Sequence, residues 1–213
     1  LATVTADASG STTSDGATLS YAWDWGDGSP ADSGETASHT YAASGRYTIT
    51  LTLTDSWNFT STLTRSVIVS TTPLPAYTTD VLADGASLYW RLGGTSGAWD
   101  QLGNNDGVVG AGVSDAASGA LGSSGGAAYS FSGTSTGLVA SSAVAATPSV
   151  FSLEGWFKTA STSGGKLFGY GNAQSGSSGS YDRHLYMTND GRLIFGVWNN
   201  QADVVTSPDS YNN

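Results

Sequence analysis

The chain holds only two glutamates, Glu35 and Glu154. Hydrolysis of a glycosidic bond needs two carboxylates flanking it, one to protonate the leaving group and one to act as nucleophile or base. On a strand they share a face only at an even offset. Glu154 stands in Phe151-Ser152-Leu153-Glu154-Gly155-Trp156-Phe157-Lys158 with no second acid at such an offset, so that pair is not written there. His39 and His184 are the only histidines, and no His-Glu-x-x-His pattern occurs. His184 follows Asp182 and Arg183, where a solvated surface histidine is the plainer reading. Gly122-Ser123-Ser124-Gly125-Gly126 fits Gly-x-Ser-x-Gly, but that pattern makes a nucleophile only at a strand-to-helix elbow with a histidine partner. The Gly/Ser run around it offers neither.

Two other groupings carry binding chemistry. Asp100, Asn104, Asn105 and Asp106 put four oxygen-bearing side chains around Gly103 and Gly107. A hard cation such as calcium is held by oxygens of this kind from a tight loop. An ordinary Asn/Asp/Gly turn has the same composition, so both readings stand. Tyr181, Arg183, Tyr186, Trp198, Asn199 and Asn200 combine rings with polar tips, as a sugar site does when a ring packs on the sugar face and amides meet the hydroxyls. Alternation sends Leu193, Phe195 and Val197 to one face of their strand and leaves Trp198 on the other.

The elements that must position these groups are strands. Leu19, Tyr21, Trp23 and Trp25 recur at every second residue, and Asp27-Gly28 turns the chain. Tyr47, Ile49, Leu51 and Leu53 alternate with Thr48, Thr50, Thr52 and Thr54 in an answering strand. Leu1 to Thr5 reads as a strand, Gly26 to His39 as a loop, and Val67 to Val69 closes the first domain. Trp23-Asp24-Trp25-Gly26-Asp27-Gly28, His39-Thr40-Tyr41, Gly45-Arg46-Tyr47 and Leu51 to Asp55, in this order, resemble the PKD domain. The resemblance implies an Ig-like β-sandwich over residues 1–70, lacking its opening strand, with His39 as a hydrogen-bonded structural residue. It also implies a second calcium set at Asp7, Ser14, Asp15 and Asp24, beside the reading of these residues as turn caps.

Thr71 to Ala76 carries Pro73 and Pro75, which fix φ twice and remove two donors, so it reads as a semi-rigid linker. The pattern then changes. Leu88, Trp90 and Leu92 share a face, and further strands are predicted at Tyr129 to Gly133, Phe151 to Lys158, Lys166 to Tyr170, Arg183 to Thr188 and Arg192 to Trp198, with a turn at Asn189-Asp190-Gly191. This order is similar to the LamG-like, concanavalin A-like family. The similarity implies an antiparallel jelly-roll sandwich over residues 77–213, one calcium near the Asp100 loop, and C-terminal strands beyond Asn213. The whole is then all-β and a fragment of a longer protein. Incomplete sandwiches expose strand edges, which invite self-association or completion by a neighbouring chain.

Composition bounds the partners. The 213 residues carry a net charge of −10 with seven basic side chains, which argues against a nucleic-acid backbone or an anionic membrane. Without cysteine there is neither a disulfide nor a thiolate metal site. No apolar run is long enough to span a bilayer. The expectation is a non-catalytic binding or spacer region of a secreted or cell-surface bacterial protein, contacting glycan or a surface protein. Its alternatives are a structural stalk, adhesin or filament module, or an accessory region of a glycoside hydrolase. Asn58-Phe59-Thr60 matches the N-glycosylation pattern, but a turn between two strands is the plainer reading.

Overall fold

Alternation at Leu19–Asp24 does become a strand, because one face has rings to bury and the other faces water. The computed structural model describes residues 2–93, 97–103, 105–116, 118–120, 126–144 and 148–212, without the side chain of Tyr181. It is all-β, with strands β1 (Ala2–Asp7), β2 (Leu19–Asp24), β3 (Asp32–Ser33), β4 (Thr36–Tyr41), β5 (Gly45–Asp55) and β6 (Thr60–Val69) ahead of one helix, α1 (Ala76–Ala83). After it come β7 (Gly107–Val109), β8 (Val113–Ala116), β9 (Ala128–Phe131), β10 (Val139–Ser141), β11 (Gly165–Gly171), β12 (Tyr181–Met187), β13 (Arg192–Trp198) and β14 (Ala202–Ser210). The chain divides into two compact units, one of residues 1–91 with 99–105 and the other of 92–98 with 106–213.

In the first unit a sheet ordered β3-β2-β5-β6 and the antiparallel pair β1-β4 enclose the core. Trp25 and Tyr41 are wholly buried there, with Trp23, Ile49, Leu51, Val69 and Ala8 around them. The rings follow one another: Trp23 on Trp25 at 6.2 Å, Trp25 on His39 at 5.2 Å, His39 edge-on to Tyr41 at 4.7 Å, and Tyr41 on Tyr47 at 4.2 Å. Buried ring heteroatoms need partners. Trp23 Nε1 donates to the Gly34 carbonyl (2.9 Å), Trp25 Nε1 to Asp32 Oδ2 (2.8 Å), and Tyr41 Oη to the Trp25 carbonyl (2.9 Å). The stretch expected to loop from Gly26 to His39 is thus partly strand: β3 supplies Asp32, and β4 carries Ala37, His39 and Tyr41 inward.

The first unit continues past the expected linker. Pro75 precedes α1, and Gly85, at φ 76°, follows the helix with its N–H on the Leu82 carbonyl. Proline before a helix and glycine after it are the usual punctuation. Thr78 is buried, with Oγ1 3.3 Å from the Tyr89 hydroxyl. Residues 99–105 pack on the same unit: the Arg46 guanidinium lies 6.0 Å from the Trp99 ring centre, and a side chain at Gly103 would strike the Ser66 carbonyl. The predicted strand through Leu88 and Leu92 is reduced to a bridge between Trp90 and Asp100.

The second unit holds a sheet ordered β11-β12-β13-β14, all antiparallel, and the pairs β7-β10 and β8-β9. Phe151 packs on Phe195 (6.0 Å) and Tyr170 (6.5 Å), and Gly155 lies against the Phe168 ring. Residues 151–158 nevertheless belong to no strand. Of the alternating apolar positions only Phe151 and Phe157 are even half-buried, and Leu153 is exposed.

Candidate functional site

The Asp27-Gly28 turn is tied into the first core. His39 Nε2 meets Asp27 Oδ2 at 2.7 Å while its ring lies on Trp25. The adjacent Ser29 hydroxyl, itself without a well-aligned partner, then His39 and the Ser29 main-chain N–H hold the Asp27 carboxyl down to about 2. Burial pushes the Tyr41 hydroxyl up to about 12. These groups are spent on one another and on the core. Gly26 is also fixed, since it sits at φ 74° and a Cβ would run into the Thr48 carbonyl.

Asp100 is fully buried. Its Oδ1 accepts the main-chain N–H groups of Tyr89 (3.0 Å) and Leu102 (3.2 Å), and its Oδ2 that of Asn105 (3.1 Å). The Asn105 carbonyl accepts Trp90 Nε1 at 2.8 Å. Three N–H dipoles therefore point their positive ends at the carboxylate. Asp100 is thus a buried carboxylate that pins a loop. Asn105 lies in the first unit and Asp106 in the second, and Asn104 lies outside the described residues.

In the weaker set, Asp7 Oδ1 takes the Ser9 N–H (2.8 Å), Asp15 Oδ1 the Ala17 N–H (3.2 Å) and Asp24 Oδ1 the Gly26 N–H (2.9 Å). Each caps its own turn, and Ser14 lies in the turn beside Asp15. The described residues hold no group of three or more His, Cys, Asp or Glu placed to share a metal.

The aromatic rim lies on the second unit, and a β-bulge builds it. Phe168 pairs with Leu185 but Tyr170 with Asp182, so three steps of β12 face two of β11. Arg183 absorbs the extra residue at φ 50°, a conformation uncommon outside glycine and asparagine. Its guanidinium is held by the Asp182 carboxylate and lies over Phe151 (5.3 Å) and Tyr170 (5.8 Å). Asp182 Oδ1 also accepts the main-chain N–H of Arg183 (2.8 Å) and of Trp198 (2.7 Å). The Trp198 bond leads the causes that hold the Asp182 carboxyl below its ordinary range.

Trp198 is 63 % exposed at the end of β13. Beside it Asn199 and Asn200 form a turn, with Asn200 at φ 59° and the Asn199 N–H on the Gln201 carbonyl (2.9 Å). Tyr186 pairs with Ile194, on the Trp198 side of the sheet but roughly 13 Å away along the strand. His184 Nε2 donates to the Tyr170 carbonyl at 2.8 Å, and burial pushes its imidazole below the ordinary range. The structure thus brings Asp182, Arg183, Trp198 and Asn199 together, sets Tyr186 apart, and makes Arg183 a support instead of a ligand-facing cation. Asp182 was missed by sequence reasoning, because its role depends on the left-handed Arg183 beside it, which the register between β11 and β12 imposes. The side chain of Tyr181 and most of the Gly-x-Ser-x-Gly run lie outside the described residues.

The arrangement offers an exposed indole next to the Asn199-Asn200 turn. Glu154 lies exposed in the strandless 151–158 stretch. Residues 1–69 match the family model of the PKD domain. No curated protein and no solved structure matches the chain.

Proposed function

We propose that the chain is a binding and spacing region of a larger secreted or cell-surface protein, with chemistry left to parts outside it. The PKD match supports an extracellular, non-catalytic role for the first unit, here read as a spacer. The second unit, read as LamG-like, contacts glycan through the Trp198 rim. One observation carries this reading: Trp198 keeps its ring in water while Asp182, placed by the Arg183 bulge, fixes its main chain. A fixed main chain leaves only the side-chain torsions of Trp198 to be ordered on binding. The contact calls on no calcium at Asp100. A glycan array probed with the whole chain and with Trp198→Ala tests it. Signals confined to the unaltered chain support the reading, and an array blank for both removes it.

A second reading, self-association through a strand edge, rests on β14. It ends the four-stranded sheet, and its neighbours Val204 and Val205, which point to opposite faces, are both exposed. Sedimentation equilibrium over a range of concentrations, with Val205→Lys as the variant, decides it: a dimer that the lysine dissolves supports pairing, and a monomer throughout excludes it.

A further inference from the structure

The turn joining β5 to β6 is Ser56-Trp57-Asn58-Phe59, and Asp55 builds it. Its Oδ1 accepts the main-chain N–H groups of Trp57 (2.8 Å) and Phe59 (2.9 Å). Its own N–H donates to the Phe59 carbonyl (3.0 Å), and its carbonyl accepts the Asn58 N–H (3.0 Å). Asn58, at φ 65°, takes the left-handed position that asparagine tolerates better than most residues. Four hydrogen bonds on one residue therefore fix the turn without help from its rings.

Those rings point to water: Trp57 is 69 % and Phe59 74 % exposed. Neither joins the ring contacts of the core. Single exposed apolar side chains are ordinary, but two large rings within three residues on a fully bonded turn are not needed to make that turn. A shallow groove of about 220 Å³ beside it is lined by Thr18, Leu19, Ser20, Thr54, Asp55 and Ser56. Its polar lining is hydroxyls and one carboxylate, with no cation. Hydroxyls and a carboxylate exchange hydrogen bonds with sugar hydroxyls, while indole and phenyl faces cover the C–H face of a sugar ring. An anionic polymer or membrane would meet no positive charge in this lining and a net charge of −10 on the chain.

We propose that the β5–β6 turn is a contact site for neutral polysaccharide, with Trp57 and Phe59 as its stacking platforms. This assigns binding to the unit read above as a spacer, and it does not depend on Trp198.

The test is adsorption of the whole chain to microcrystalline cellulose and to colloidal chitin. The variants are Trp57→Ala/Phe59→Ala, Trp57→Tyr/Phe59→Tyr and Trp198→Ala. The expected result is retention of the unaltered chain on at least one polymer, weakened about tenfold or more in the double alanine variant and largely kept in the double tyrosine variant. Both double variants should melt where the unaltered chain does. Four results overturn the proposal: no retention on either polymer, equal retention by the double alanine variant, tyrosines failing as alanines do, or retention lost only in Trp198→Ala. A dimer dissolved by the double alanine variant, with neither polymer bound, overturns it in favour of a protein partner.

Discussion

Asp27 Oδ2 and His39 Nε2 lie 2.7 Å apart, joining the turn after β2 to the middle of β4. The Asp27 carboxyl is held at about 2, below its ordinary 3.8. A depressed acid pKa means that the unfolded chain takes up the proton first, so this contribution is complete above 3.8 and is lost as pH falls toward 2. Asp27→Asn should flatten the acid dependence in that window while leaving the pH 7 fold in place. Urea unfolding of both proteins between pH 2 and 5 checks it; parallel acid limbs would show that Asp27 carries none of the loss.

His184 acts in the opposite range. Burial lowers its imidazole below 6.5, so the folded chain resists a proton that the unfolded chain accepts. Stability tied to this group is full above 6.5 and declines as pH falls below it. His184→Gln should lessen the difference between melts at pH 7.5 and pH 5, and an unchanged difference would assign the decline to other groups.

Asp100 should matter to the first unit with no metal present. Asp100→Ala leaves three N–H groups without their acceptor and is expected to cost about 3 kcal/mol or more. EDTA should leave the melting transition of the unaltered chain in place, because a ligand held only by the folded state would raise it. A transition that drops with chelator and recovers with calcium would support the cation reading of this loop instead.

Gly26→Ala should destabilise the first unit by more than about 1 kcal/mol, since the new methyl meets the Thr48 carbonyl at a backbone angle alanine avoids. Gly28, at φ 81° with open space around it, shares the strain but not the collision. Gly28→Ala should therefore cost less, and thermal melts of the two variants side by side decide the order.

What could be read in the chain followed how local the cause was. β2 and β5 were legible because period-two burial is written in Trp23, Trp25, Ile49 and Leu51 themselves, and β13 because Leu193, Phe195 and Val197 alternate along the sequence. β4 was not, because Thr36–Tyr41 is mostly polar and earns its place through the pairing of His39 with Val4 and of Tyr41 with Ala2. Helix α1 was hidden by reading Pro73 and Pro75 as a spacer, although Pro75 and Gly85 also bracket a helix. The way Asp100 pins its loop was not legible, for a physical reason. Calcium loops and carboxylate-pinned loops both want Asp, Asn and Gly close together, and one of the N–H groups that Asp100 accepts, that of Tyr89, lies eleven positions away. At the rim, Trp198 was legible by alternation, but the bulge that turns Arg183 into a support for it arises only from the register between β11 and β12.

Calorimetric titration of the strongest array glycan into the unaltered chain and into Trp198→Ala, with reducing ends assayed in the same cell, tests the binding account most directly. It predicts saturable binding, weakened about tenfold or more by the substitution, and no sugar released. Binding untouched in Trp198→Ala, or reducing sugar whose release stops in Glu154→Gln, would contradict it.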